Sequence, residues 1–79
     1  MVVINVGTNS FVIVSEIETI SPPESAPIKR LVNTAKDENR CIEVTYGKRV
    51  KSVIVLKSGK VVLSAVLPQT LAQRIAEKG

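Results

Sequence analysis

The sequence predicts a small α+β domain: an antiparallel-rich β-sheet, one amphipathic helix in the middle of the chain and a short C-terminal helix. Three observations predict it. Apolar residues make up 44% of the 79 positions, yet Phe11 and Tyr46 are the only aromatics, so the interior is built from Val, Ile and Leu. The β-branched members of that set are stiff at χ1 and suit pleated surfaces. Short apolar runs punctuated by Gly, Pro, Asn and Ser recur along the chain, as strands between turns do. One long stretch, beginning at Ile28, instead repeats its apolar residues at helical spacing.

The elements follow in order. Val2 to Val6 and Phe11 to Val14 flank Gly7-Thr8-Asn9-Ser10 and predict a hairpin, with Ile17 and Ile20 continuing as a third short strand or an extended connection. Ser21-Pro22-Pro23 ends it, because consecutive prolines donate no ladder hydrogen bonds. Ser25 stands at an N-cap position and Pro27 in the first turn, with Glu24 at the positive end of the dipole. Ile28, Leu31, Val32 and Ala35 then mark one helical face, running to about Glu38. Lys29, Asn33, Lys36 and Arg40 mark the opposite face as basic, with Arg30 beside it. A solvated surface explains that charge as readily as a binding surface does.

Ile42, Val44 and Tyr46 alternate with Cys41, Glu43 and Thr45, the period of a strand with one buried face. Tyr46-Gly47-Lys48-Arg49 is expected to reverse the chain into a second hairpin, whose return strand spans Val50 to Lys57. The run Val53-Ile54-Val55-Leu56 is apolar on both faces and belongs in the middle of a sheet covered on both sides. Ser58-Gly59 turns the chain again, Val61 to Leu67 forms the last strand, and Thr70-Leu71-Ala72-Gln73 has capping-box spacing at the start of the final helix. The whole is read as a single domain, residues 1–79. A chain this short buries only about 60% of its unfolded surface. Its strands offer more apolar faces than two helices cover, which predicts self-association.

Few chemistries remain open. With no histidine, the commonest metal ligand and general base are missing, and the lone Cys41 has no internal disulfide partner. Neither a metal nor a cofactor is expected. No phosphate-cradling or nucleophile-elbow glycine pattern occurs. Glu16 and Glu18 share a parity but have no cationic or nucleophilic neighbour in sequence, and Cys41 reads as a small packing residue. An enzyme with a small-molecule substrate is therefore not expected. Polar residues interrupt the first apolar stretch, and no run reaches the roughly 18 residues of a membrane span. A cytoplasmic protein without membrane association is expected.

What remains is charge. The net charge is +4, which suits a polyanionic partner without choosing one. Lys48, Arg49 and Lys51 place three cations within four residues at the expected hairpin tip, where strand parity puts Arg49 and Lys51 on one face.

The blocks SPPESAPIKRLV (Ser21 to Val32), IEVTYGKRVKSVIV (Ile42 to Val55) and VVLSAVLPQTLAQRI (Val61 to Ile75), with INVG at Ile4 to Gly7, closely resemble successive blocks of the RemA-like family of bacterial regulators of extracellular matrix and biofilm genes. The resemblance implies a DNA-binding transcriptional regulator that assembles into a ring-shaped homo-oligomer, an octamer, gripping double-stranded DNA through basic loops. The family's DNA-contacting arginine pair falls on Lys48 and Arg49 and its next basic position on Lys51, while Lys29, Lys36 and Arg40 could add a second surface. Two positions depart from the pattern. Lys48 keeps the charge of an arginine without its planar fork, and Glu16 stands where the family has a further DNA-associated arginine. A carboxylate there repels phosphate. The alternatives are an oligomeric protein-interaction scaffold that ignores nucleic acid, and an RNA-binding module, which the scarcity of stacking aromatics disfavours.

Overall fold

The computed structural model describes residues 1–78. Strands β1 (Val3–Gly7) and β2 (Ser10–Ile13) form the first hairpin, with Asn9 at φ 55° in its turn. A single 3-10 turn, Val14–Glu16, leads into β3 (Ile17–Ser21), and helix α1 (Ala26–Asp37) follows the prolines. Strands β4 (Cys41–Glu43), β5 (Ser52–Leu56) and β6 (Val61–Ser64) precede helix α2 (Pro68–Lys78). The α+β class, the position of both helices and the first hairpin are as the sequence predicts, and the third short segment is a true strand.

Helix α1 starts where its cap chemistry starts it. The Ser25 hydroxyl accepts from the Ile28 N–H at 3.3 Å, which satisfies one of the donors that a helix start leaves open. It stops in a Schellman motif: Asn39 takes φ 58°, its N–H bonds the Lys36 carbonyl at 3.2 Å and the Arg40 N–H bonds the Ala35 carbonyl at 2.7 Å. Arg40 therefore lies beyond the helix, not on its basic face. Its guanidinium pairs with Glu38 at 2.7 Å and donates to the Gly59 carbonyl, tying the helix end to the β5–β6 turn.

The four-stranded sheet runs β3-β5-β6-β4. β5 is antiparallel to both β3 and β6, while β4 lies parallel to β6. This corrects the second hairpin. The Tyr46-Gly47 turn is real, but the strands on its two sides are not neighbours, because β6 inserts between them. The Val44 N–H bonds the Leu63 carbonyl at 3.0 Å and the Lys51 N–H bonds the Ser64 carbonyl at 2.8 Å, so residues 44–51 cross the end of β6. The physical reason lies in burial: every residue of β6 is buried, whereas β4 exposes Ile42 and Glu43. The more apolar strand takes the interior place and the mixed one the edge.

Side chains leave β5 and β6 alternately to two cores. Val53, Val61 and Leu63 pack with Ala35 under α1; Ile54 and Val62 pack with Ile4, Val6 and Leu71 under the first hairpin and α2. This is the two-sided cover expected for the Val53–Leu56 run. The last strand is shorter than expected and ends at Ser64, whose hydroxyl donates to the Val6 carbonyl and accepts from the Val66 N–H. The capping box is also corrected. α2 begins at Pro68, and the Leu67 carbonyl accepts from both Thr70 and Leu71, so proline opens the helix and Thr70 sits inside its first turn. No described helix is long and apolar enough to cross a membrane.

Candidate nucleic-acid interface

The connection from β4 to β5 positions three of the six expected cations, Lys48, Arg49 and Lys51. Thr45 is buried and its hydroxyl donates to Glu43 Oε2 at 2.7 Å. Tyr46 and Gly47 then take φ values of 50° and 85°, and the Lys48 N–H closes the turn on the Thr45 carbonyl at 3.1 Å. Two consecutive positive φ values are what a type I′ turn requires, and glycine supplies the second without strain. Lys48, Arg49 and Lys51 are all exposed, while Val50 between them reaches the core under α1. Arg49 and Lys51 both precede β5, so strand parity does not set their directions.

Three clefts surround this connection. The first, about 420 Å³, lies between it, the β1–β2 turn and α2, and holds Lys48, Lys51 and Arg74. The second holds Arg49 and Lys51 beside Glu24 and the first residues of α2. The third holds Lys29 and Lys36 against the sheet edge of α1. Lys51 borders the first two clefts and Val50 the last two, so the three are consecutive around one segment. Five of the six cations singled out in the sequence thus line neighbouring clefts; Arg40 lines none of these and is held by Glu38 and Gly59.

Arg74 is the residue that sequence reasoning missed. Half-buried on α2, it donates from Nη1 to the Asn5 carbonyl at 2.7 Å. Its signal was its place inside the LAQRI block, but nothing local separates it from any other arginine on a helix face.

Glu16 lies elsewhere. It borders a groove of about 440 Å³ between the first hairpin and β4, with Lys60 and the apolar residues Phe11, Ile13 and Ile42. Phe11 is 62% exposed and Ile42 43%, a large apolar surface for so small a chain. Burial pushes the Cys41 thiol above its ordinary pKa; Lys36 pulls it down and Glu43 adds to the rise. A thiol shifted that way is a poorer nucleophile at neutral pH.

The RemA-like family model, described as extracellular matrix regulatory protein A-like, matches residues 3–75. The chain belongs to the RemA-like family. Relatives in this family agree over nearly the full length: 49% identity with a protein of Shouchella clausii and 48% with one of Halalkalibacterium halodurans, each over 95% of this chain and 86% of the relative. A protein of Brevibacillus brevis is 47% identical over 95% of this chain and 87% of its own. All three carry the name "Putative regulatory protein". The matched residues 3–75 include the lining of the first cleft from all three of its elements, the β1–β2 turn, the 44–51 connection and α2.

Proposed function

We propose that this RemA-like protein is a transcriptional regulator that grips duplex DNA through the cations around residues 44–51, repeated in a ring-shaped homo-oligomer. The observation that carries the reading is the convergence of Lys48, Arg49, Lys51 and Arg74 on two adjoining clefts lined by a single carboxylate, Glu24. A cluster of three exposed cations and one half-buried arginine on one surface is the footprint of a backbone-binding protein.

The mechanism is additive. One subunit offers too few cations for tight binding, so affinity comes from weak phosphate contacts multiplied by symmetry. Arg49 is the member able to fork a phosphate or enter a narrow minor groove, with Lys48 and Lys51 as point charges. Lys48, Arg49 and Lys51 sit on the connection between β4 and β5 and not on a helix that could enter the major groove, so sequence preference arises from DNA shape and curvature. The apolar groove of Phe11, Ile13 and Ile42 supports the assembly, because a second subunit would remove that surface from water.

The same groove supports the second reading, an oligomeric scaffold indifferent to DNA, since Glu16 sits there and not among the cations. Fluorescence anisotropy of a labelled duplex separates the two. Under the DNA reading, Arg49→Ala weakens binding and Lys57→Ala, in the β5–β6 turn, does not. An assembled wild type that leaves the duplex free at low salt would establish the scaffold instead.

A further inference from the structure

We infer that the cleft between the β1–β2 turn, the 44–51 connection and α2 is a built seat for one phosphate group, with Arg74 as its orienting member. The assignment of that phosphate to the DNA backbone rests on the function proposed above; the seat itself rests on geometry. Three cations from two distant parts of the chain meet in the cleft, and no carboxylate lines it. Glu43, outside the lining, accepts from the hydroxyl of the lining residue Thr45. Neither Lys48, Lys51 nor Arg74 forms an ion pair among the described residues, where the one salt bridge joins Arg40 to Glu38.

Arg74 differs from the two lysines in being fixed before any ligand arrives. One Nη1 donor is spent on the Asn5 carbonyl, which anchors the planar fork and leaves its other donors for a ligand. Holding a guanidinium in place in advance lowers the ordering cost of each hydrogen bond to phosphate. The lysines are exposed and close over the ligand as point charges. The cleft holds no aromatic side chain, so a nucleobase finds no stacking partner and the recognised group is the phosphate itself. That group can come from a phosphodiester of duplex DNA or from a free phosphate compound.

The test has two arms, both on the full chain. In the first, inorganic pyrophosphate is titrated into ¹⁵N-labelled protein. Saturable shifts at Gly7, Thr8, Lys48, Lys51 and the Arg74 side-chain N–H are expected, and Arg74→Gln should weaken the pyrophosphate affinity about tenfold, as loss of a charge-assisted hydrogen bond does. Arg74→Lys, which keeps a charge without the planar fork, should recover part of it. In the second arm, duplex DNA is titrated at several salt concentrations, and Arg74→Gln should lower the salt slope by about 0.9 for each subunit engaged. Localised pyrophosphate shifts without DNA binding by the wild type would keep the seat and remove the DNA reading. Shifts spread evenly over surface cations such as Lys57 and Lys60 would overturn the seat, and undiminished DNA affinity in Arg74→Gln would leave the DNA reading standing without it.

Discussion

Arg74, in the middle of the last helix, donates to the main-chain carbonyl of Asn5 in the first strand at 2.7 Å, joining residues 69 positions apart. The bond closes one wall of the basic cleft. The opposite wall is the 44–51 connection, held to the end of β6 by the Val44 and Lys51 N–H groups. Ser64 fastens β6 to β1 through the Val6 carbonyl. The cations are thus mounted on a closed circuit of β1, β6, the connection and α2, and not on a free hairpin tip.

Gly7 is where this circuit is tightest. A Cβ built on it would lie 2.7 Å from the Val44 carbonyl oxygen, so an alanine forces the first hairpin away from the connection. Gly7→Ala should cost about 1–3 kcal/mol, seen as a lower urea midpoint with an unchanged m-value.

Leu71 is fully buried and fastens α2 over the second core. Leu71→Ala should destabilise the fold by about 2–5 kcal/mol, measured by the same urea unfolding. Because α2 carries Arg74, the proposed DNA binding should weaken with it under conditions that loosen the helix.

Much of this was legible in the sequence, for reasons that differ by element. Ser25, the prolines and the Ile28–Ala35 spacing specify α1 through contacts within a few residues, and the two-faced Val53–Leu56 run reports burial on both sides directly. Strand order did not follow, because Tyr46-Gly47 has the local chemistry of a hairpin turn and only competition for the buried centre puts β6 between β4 and β5. Arg40 fits a helical spacing from Lys36, yet Asn39 ends the helix by adopting a positive φ that asparagine tolerates and spacing does not reveal. The loop cations of the candidate site were visible as a dense charge run. Arg74 was not, since its role depends on a contact with Asn5 at the other end of the chain.

Glu16 borders the apolar groove and not the basic clefts, so under the proposed ring its cost to DNA binding depends on how close the assembly brings it to the duplex. Under the DNA reading, Glu16→Arg replaces a carboxylate with a cation and should tighten binding at low salt. The salt slope should rise by about 0.9 for each subunit whose new arginine meets a phosphate. Unchanged affinity and slope would place Glu16 outside the interface.

The burial that raises the Cys41 thiol pKa sets its reactivity. Below its raised pKa the thiol stays protonated, so at pH 8 to 9 it should react with a disulfide reagent more slowly than a free cysteine thiol, and unfolding in urea should abolish the difference. Equal rates before and after unfolding would show that burial does not control this thiol.

The central claim is that several subunits grip one duplex together, and the salt dependence of binding tests it most directly. With a duplex long enough for one assembly, log K is measured against log salt concentration. A single subunit working through Lys29, Lys36, Lys48, Arg49, Lys51 and Arg74 alone has a ceiling of about 5.4 on the magnitude of its slope. The account predicts a steeper slope than that, carried by the ring. A slope at or below the ceiling, or no binding at low salt, would contradict it.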